Sequence, residues 1–262
     1  MNLPTRNALP RSFRNGGIPR DLRLLVAAPH PDDFDAIGAT LKFLLNQGNP
    51  LEAIVCSTGG GIEDSYCPGL TIDGRTKLRE REQRNSARFF GLPEDCLTFL
   101  RLANDDADDQ PMDTPENLVE LETLVLQKAP DVIFLPHGND TNSAHRAIYS
   151  LVRQISAHFD RPLALLLNRD AKTISMRSDL YYPFGPGEAA WKAELLRFHD
   201  SQQQRNLNTR GQGLDERVLD LNRQIARELS LDERYAETFE LELCNPPSSE
   251  STRTISTRQI AI

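Results

Sequence analysis

Short apolar runs alternate with amphipathic stretches through the first two thirds of the chain. The runs have the length of buried strands in a parallel sheet and lie at residues 24–28, 51–57, 96–102, 131–135 and 163–167. Between them, apolar residues recur three and four positions apart, which predicts helices over residues 35–48, 75–90, 115–128 and 147–159. Strands that alternate with helices predict a doubly wound, mostly parallel α/β sheet with helices on both faces.

The pattern changes after residue 167. We predict a C-terminal α+β extension there, with an extended segment at 173–182, helices at 191–203 and 214–229, and a strand at 236–243. Residues 1–22 are predicted to form an irregular arm, and residues 245–262, which are rich in Pro, Ser, Thr and Arg, a loose tail. Residues 23–244 are then a single α/β domain.

Composition narrows the class of protein. The 262 residues are 39% hydrophobic and carry a formal net charge of −8, which argues against nucleic acid as a partner. No apolar run approaches the roughly 18 residues of a membrane span, and the N-terminal arm lacks the apolar core of a secretory signal. The four cysteines include no C-x-x-C pair, which disfavours a cysteine zinc site and favours a reducing, cytoplasmic location. Helices with thin apolar faces are compatible with a homo-oligomer.

Two polar clusters directly follow apolar runs. His30, Asp32 and Asp33 come after the run at 24–28, and a second cluster over 136–146 comes after the run at 131–135. In a doubly wound sheet, ligands bind beyond the carboxyl ends of the strands, at the point where the strand order reverses. We therefore predict that these two strands lie side by side and that both clusters face one crevice.

The residue types in the two clusters suit a metal ion. His30, Asp33 and His145 supply the two imidazoles and one carboxylate of a catalytic zinc site with an open position. Asp32 would then remain free as a general base that takes a proton from metal-activated water. Helix capping is the alternative for the first cluster, since Asp32 or Asp33 can accept backbone N–H bonds at the start of the next helix.

Other residues of the second cluster also have two interpretations. His137, Asp140 and Asn142 are candidates for supporting the metal ligands or for hydrogen bonding to a tetrahedral intermediate. Asp140 can instead cap the following helix, and Asn142 can lie in its turn.

Two loops are less informative. Residues 58–61 are Thr-Gly-Gly-Gly and follow the second predicted strand, but they match neither G-x-G-x-x-G nor a P-loop. A nucleotide-binding protein that uses this loop without a metal is therefore the weaker alternative. The acidic loop at 104–109 lacks the glycine and the distal glutamate of an EF-hand, and we predict that it forms a solvated rim.

Several motifs resemble those of the PIG-L/LmbE-like family of zinc-dependent N-acetyl deacetylases. Residues 28–33, Ala-Pro-His-Pro-Asp-Asp, are similar to the family's A-H-P-D-D-E motif. Residues 79–82 with 90–92 resemble its R-x-x-E…L-G-V helix. Residues 142–145 stand at its H-x-D-H position, and residues 192–202 resemble its K-x-x-A-L…H-x-S-Q helix.

The resemblance implies a Rossmann-like sheet and a divalent metal, usually Zn²⁺, with Fe²⁺ as an alternative. It also implies hydrolysis of an N-acetyl group from a glucosamine-type sugar or its conjugate by metal-bound hydroxide. By position, it assigns proton transfer to Asp32, substrate contact to Arg79, and the metal to His30, Asp33 and His145.

The chain also departs from the family pattern. Phe34 replaces the family's glutamate, Asn142 replaces a histidine thought to stabilise the oxyanion, and Ala144 replaces the acidic neighbour of that histidine. His137 or Asp140, from the same loop, is a candidate for the oxyanion role. Because of these changes, a carbohydrate-binding protein that keeps the metal but lacks turnover is a further alternative.

We therefore expect a metal-dependent N-acetyl deacetylase acting on a small amino-sugar substrate. The predicted metal ligands are His30, Asp33 and His145. The predicted catalytic residues are Asp32, Asp140 and Asn142, and the predicted substrate-binding residues are Arg79 and His137.

Overall fold

One eight-stranded sheet lies at the centre of the computed structural model, which describes residues 9–15, 19–58, 60–105 and 110–245. The strands are β1 (Arg11–Ser12), β2 (Leu24–Ala28), β3 (Leu51–Val55), β4 (Leu97–Phe99), β5 (Val132–Pro136), β6 (Leu163–Asn168), β7 (Leu180–Phe184) and β8 (Tyr235–Cys244). The α-helices are α1 (Pro31–Ala36), α2 (Gly38–Asn46), α3 (Ile72–Phe90), α4 (Pro115–Lys128), α5 (Ser143–Ser156), α6 (Pro186–Arg197), α7 (Asp200–Arg210) and α8 (Leu214–Glu228).

The strand order across the sheet is β1-β7-β8-β6-β5-β2-β3-β4. The strands from β6 to β4 run parallel, as the alternation of strands and helices predicts. At the other end, β8 is antiparallel to both β6 and β7, and β1 joins β7 in parallel. The predicted mostly parallel α/β sheet with a C-terminal α+β extension is thereby confirmed.

Helices cover both faces of the sheet. Because side chains alternate along a strand, Leu24, Val26 and Ala28 of β2 pack in one apolar cluster with α1, α2, α3 and α6. Leu25 and Ala27 pack in a second cluster with α4 and α5. All five side chains are buried, and a strand covered on both faces is therefore apolar throughout.

Two predicted helices are each divided in the structure, so their prediction as single helices was wrong. Residues 35–48 form parts of α1 and α2, which meet at Ile37 (φ −114°, ψ 21°). Residues 191–203 form parts of α6 and α7, with His199 between them in a non-helical conformation (φ −87°, ψ 62°). Apolar spacing continues across the break at Ile37, and for that reason the sequence pattern does not reveal it, whereas the residues that follow His199 are polar and carry no apolar period that could mark a break.

Other boundaries also differ from the predictions. Helix α5 begins at Ser143, before the predicted start at residue 147, so His145 lies in its first turn. Arg11–Ser12 forms an edge strand within the predicted N-terminal arm. Residues 106–109 of the acidic loop, and the predicted tail apart from Asn245, lie outside the described residues. None of the described helices is both long enough and apolar enough to cross a bilayer.

A buried ion pair joins the α1–α2 junction to the second half of the chain. Lys192 Nζ donates to Glu237 Oε1 at 2.6 Å, to Asn222 Oδ1 at 2.8 Å and to the last carbonyl of α1 at 2.6 Å. The Glu237 carboxylate also accepts the backbone N–H groups of Ala39 (3.2 Å) and Thr40 (2.8 Å) at the start of α2. Burial lowers the pKa of Lys192, against the opposing effect of Glu237.

We predict that Lys192→Met destabilises the fold by roughly 3–5 kcal/mol, because it leaves the buried Glu237 carboxylate without its cation. The measurement is the free energy of unfolding from urea denaturation. Lys77→Met is the matched control, because the Lys77–Asp73 pair (2.6 Å) is exposed and such pairs contribute at most about 1 kcal/mol. Equal small losses in both variants would contradict a structural role for the Lys192–Glu237 pair.

Candidate metal centre

The candidate centre lies where the strand order of the parallel sheet reverses. β2 pairs with β5 on one side and with β3 on the other. The two strands that precede the polar clusters are therefore neighbours, as the sequence predicts. Both clusters leave the sheet at the same edge, which is where open α/β sheets bind ligands.

His30, Asp33 and His145 meet at this edge. One nitrogen or oxygen atom from each lies within 4.8 Å of the others. His30 Nδ1 is 3.2 Å from Asp33 Oδ2, and His145 Nε2 is 3.5 Å from Asp33 Oδ1. The fold thus brings His145 from a distant position in the chain to His30 and Asp33, which lie three positions apart.

The start of α1 holds His30 and Asp33 in this arrangement. His30 is the N-cap residue of α1, and Pro31 occupies the first helical position, where its missing N–H is not needed. Asp33 Oδ2 accepts the backbone N–H of His30 at 2.8 Å. Asp33 therefore caps its own helix, as the alternative interpretation predicts, while its Oδ1 faces His145.

Further contacts orient the two imidazole rings. His30 Nε2 is 3.0 Å from Gln110 Oε1, a neighbour that no sequence motif indicated. His145 Nδ1 is 3.3 Å from Asp140 Oδ2, although this contact lacks hydrogen-bond geometry. Burial opposes protonation of His145, but Asp33 and Asp140 outweigh it and raise the pKa of His145 to about 10.

Asp32 lies in the same helical turn but points to a different partner. Arg79 Nη2 donates to Asp32 Oδ1 at 2.6 Å, and 23% of the Asp32 side chain remains exposed. Burial alone would raise the pKa of Asp32, but the Arg79 guanidinium outweighs this effect and lowers it. Asp32 is therefore an ionised carboxylate beside the candidate metal ligands.

Arg79 also fixes the glycine-rich loop beside Asp32. Its Nη1 donates to the Gly60 carbonyl at 2.5 Å, and Gln202 Nε2 donates to the Gly61 carbonyl at 2.9 Å. Gly61 has φ +84°, and a Cβ at this position would lie 2.8 Å from Arg205 Nη1. The described part of this loop is thus held by side chains of α3 and α7.

Asp140 and Asn142 are engaged locally. Asp140 Oδ1 accepts the backbone N–H of Asn142 at 2.7 Å, and Asp140 Oδ2 accepts Thr173 Oγ1 at 3.2 Å. Asn142 Oδ1 caps α5 by accepting the N–H of Ala144 at 3.1 Å. Asp140 is thus held beside His145, whereas the catalytic roles predicted for Asp140 and Asn142 stay predictions.

His137 follows β5 and is not among the three grouped ligands. Its Nδ1 accepts the backbone N–H of Asn139 at 2.9 Å, and its Nε2 is 3.4 Å from Glu240 Oε2. Its ring is stacked with that of Tyr149, with centroids 6.4 Å apart. Both ring nitrogens have partners within the protein, so substrate binding by His137 stays a prediction, as it does for Arg79.

A buried pair behind α1 was not anticipated from the sequence. Phe34, at the position of the family's glutamate, packs edge-on against Phe90 with ring centroids 5.0 Å apart. The next residue, Asp35, pairs with His199 Nε2, and both side chains are fully buried. Burial raises the pKa of Asp35, and Asp35 raises that of His199 against the effect of burial. The sequence signal for this buried pair was His199, which stands at the histidine of the K-x-x-A-L…H-x-S-Q motif.

A second group of potential ligands shares one residue with the first. Asp140, His145 and Asp170 also place one ligand atom each within 4.8 Å of the others. Asp170 lies just beyond β6 and had not been selected as a candidate. Only His145 and carboxylates contribute to this group, whereas the first group offers two imidazoles, the more common arrangement around zinc.

Solved structures share this fold. N,N'-diacetylchitobiose deacetylase from Pyrococcus horikoshii superposes with a TM-score of 0.68 at 17% identity, over 84% of this chain and 83% of that one. A teicoplanin deacetylase in its zinc-inhibited form gives 0.62 at 15% identity, over 85% and 99%. GalB, the 4-carboxy-2-hydroxymuconate hydratase from Pseudomonas putida, gives 0.63 at 15% identity, over 84% and 96%. At these identities the similarity shows that this chain shares the α/β fold of the three structures.

The sequence identifies the family. The PIG-L family model, described as GlcNAc-PI de-N-acetylase, matches residues 25–156, which is half of the 262-residue chain. The chain belongs to this family. Comparison with curated proteins finds no match.

Metal analysis of two variants distinguishes the two groups of potential ligands. We predict that Asp33→Ala loses bound Zn²⁺, because it removes a carboxylate of the first group, and that Asp170→Ala retains it. Elemental analysis after zinc loading and desalting measures the metal content of each variant. Zn²⁺ retained in Asp33→Ala but lost in Asp170→Ala would assign the metal to the second group instead.

Proposed function

We propose that the chain is a divalent-metal-dependent hydrolase that removes the acetyl group from the nitrogen of an N-acetylglucosamine-type sugar or its conjugate. The observation that carries this proposal is the convergence of His30, Asp33 and His145, with Asp32 beside them, where the strand order reverses. Membership of a de-N-acetylase family supports the reaction type. The relatives named as deacetylases support it further.

The donor set fits a divalent cation. Two imidazoles and one carboxylate suit Zn²⁺ and Fe²⁺, and His30 Nδ1 is available if its Nε2–H donates to Gln110. Asp140 lies on the far side of His145, where carboxylates commonly orient metal-binding histidines. When bound, the cation would polarise the acetyl carbonyl and activate a water molecule. Because one relative is described in a zinc-inhibited form, Fe²⁺ belongs beside Zn²⁺ in any test.

Asp32 acts as the general base in this proposal. Its lowered pKa keeps it ionised at neutral pH, and its partial exposure allows contact with water and substrate. The carboxylate takes a proton from the attacking water and then delivers it to the departing amine nitrogen. Arg79 acts as a positioning residue, because its contact with Asp32 Oδ1 leaves Oδ2 for this transfer.

Asn142 is the proposed donor to the tetrahedral oxygen. Its Oδ1 is occupied by the helix cap, whereas its Nδ2 makes no hydrogen bond within the part of the chain that the structure describes. Asp140 is an acceptor at both oxygens, so we propose that it positions His145. In this proposal the side-chain amide of Asn142 donates the hydrogen bond at the position where the family has a histidine.

The fold alone does not determine the reaction, since a hydratase shares it. The alternatives are metal-retaining carbohydrate binding without turnover, and nucleotide binding at the glycine-rich loop. Nucleotide binding is the weaker of the two, because residues 58–61 match neither G-x-G-x-x-G nor a P-loop. The sparse cysteines, which are all free thiols, support a cytoplasmic location, and a homo-oligomer is compatible with the exposed helices.

We predict that Asp32→Asn keeps its metal but loses deacetylation by roughly 10²–10⁴-fold, the effect expected of a proton-transfer group. The assay measures acetate released from a panel of N-acetylhexosamines and chitooligosaccharides by protein loaded with Zn²⁺ or Fe²⁺. Asp160→Asn is the matched control, because Asp160 is exposed and lies in the turn that follows α5.

Each outcome has a distinct meaning. Activity near that of the unmodified protein in Asp32→Asn would remove Asp32 from the mechanism. Unmodified protein that binds metal and sugar but releases no acetate would favour the carbohydrate-binding alternative. Nucleotide binding in metal-free protein would favour the nucleotide alternative.

A further inference from the structure

Gln110 contacts the candidate metal centre from a part of the chain that contributes none of the predicted ligands. Its Oε1 is 3.0 Å from His30 Nε2, although the two residues are 80 positions apart in the sequence. The other ring nitrogen, His30 Nδ1, is 3.2 Å from Asp33 Oδ2. The two nitrogens of this imidazole therefore face different neighbours, and one of these neighbours is itself a proposed metal ligand.

The backbone around Gln110 pairs with the segment that follows β4. An antiparallel bridge joins Asn104 to Pro111, and the N–H of Asp105 donates to the Gln110 carbonyl at 2.8 Å. These paired residues are called the Gln110 arm. The Gln110 arm comprises residues 103–105 and 110–112.

Two side chains outside the Gln110 arm fix its position. Asn117, a buried residue in the first turn of α4, accepts the N–H of Ala103 at 2.9 Å and donates to the carbonyls of Ala103 and Met112, both at 2.8 Å. Ser57, just beyond β3, donates from Oγ to Asn104 Oδ1 at 3.0 Å. The arm is thus tied to β3 and α4, and these ties place Gln110 beside His30.

The contact with Gln110 determines which nitrogen of His30 can face a cation. A neutral imidazole carries a proton on one nitrogen and a lone pair on the other, and a metal ion needs the lone pair. When the Gln110 carbonyl accepts the Nε2–H, the lone pair is on Nδ1, which is directed toward Asp33. With the amide reversed, Nε2 would accept from Gln110 and Nδ1 would carry the proton. Only the first arrangement leaves His30 a lone pair for a cation shared with Asp33.

We propose that Gln110 is a positioning residue of the metal centre, which accepts the Nε2 proton of His30 and thereby directs the Nδ1 lone pair toward Asp33. Acceptors on the outer nitrogen commonly fix the tautomer and orientation of metal-binding histidines. Asp140 stands in the corresponding position beside His145. The two imidazoles then differ in their supports, a neutral amide for His30 and a carboxylate for His145. The inference rests on the proposed metal-dependent function, but metal affinity can be measured without turnover.

The first experiment measures the Kd for Zn²⁺ of the full chain by competition with a chromogenic chelator. Gln110→Met keeps the length of the side chain but removes the amide acceptor, and we expect it to weaken Zn²⁺ binding by roughly 10–100-fold. Gln110→Glu keeps an oxygen acceptor and is expected to bind at least as tightly as the unmodified protein. Thermal melting checks that both variants fold, which we expect because Gln110 is only half-buried and lies outside the helices.

Gln154→Met is the matched control. Gln154 is an exposed glutamine of α5 whose Nε2 donates to Asp113 Oδ1 at 3.2 Å. The substitution therefore removes a glutamine hydrogen bond that lies outside the candidate metal centre. This variant is expected to keep the Zn²⁺ affinity of the unmodified protein.

A second measurement reports on the imidazole itself. Long-range ¹H–¹⁵N correlation spectra of the zinc-loaded, ¹⁵N-labelled protein show which nitrogen of each histidine carries the proton, and His30→Ala assigns the signals of His30. We expect His30 to be protonated at Nε2, and this proton to exchange with solvent faster in Gln110→Met. A residue that only stabilised the fold would leave this exchange rate unchanged.

The outcomes separate this inference from the proposed function. Weaker Zn²⁺ binding in Gln110→Met, with affinity kept in Gln110→Glu and in the control, supports the inference even if no acetate is released from any substrate. Equal affinity in Gln110→Met and the unmodified protein, equal losses in Gln110→Met and Gln110→Glu, or a proton on Nδ1 of His30 overturns it. Deacetylation by the unmodified protein would then leave the proposed function standing without a role for Gln110. Absence of any Zn²⁺ affinity in the unmodified protein would overturn the inference as well.

Discussion

The pairing of β2 with β5 is the constraint on which the candidate centre depends. Leu24 lies opposite Val132 in this parallel pair, so the two strands end level with each other. His30 and the loop that leads to His145 therefore leave the sheet together. The first cluster contributes one imidazole to the three-residue site, that of His30, and the second contributes that of His145. The backbone hydrogen bonds between β2 and β5 bring His145 close to Asp33.

Buried polar contacts then hold α1 in place behind the centre. Asp35 pairs with His199, and Lys192 binds both Glu237 and the last carbonyl of α1. A similar contact orients α7, where Glu82 accepts both the N–H and the hydroxyl of Ser201 at 2.8 and 2.7 Å. The motif residues of the K-x-x-A-L…H-x-S-Q segment are thus supports for α1 and α7. A buried charge is costly when its partner is missing. The members of each of these buried pairs are therefore needed together.

The sequence predicts much of the fold because its signals are local. Runs such as Leu24–Ala28 are apolar throughout, and this property follows directly from burial on both faces. The breaks at Ile37 and His199 escape prediction because contacts distant in the chain stabilise them, among them those of Glu237 and Glu82. The same limit applies to the centre. His30, Asp33 and His145 stand out by residue type, whereas Gln110 and Asp170 become neighbours only through the fold.

The position of β8 has a consequence for how the protein is made. β7 joins the sheet through β8, and the N-terminal β1 joins through β7. During synthesis the parallel strands from β2 to β6 can pair as they emerge from the ribosome, but β1 and β7 lack their link to them until residues 235–244 have followed. β1 precedes the other described strands in the chain, yet it is among the last of them to join the sheet. Completion of this sheet therefore waits for β8, and long-range pairing of this kind slows folding.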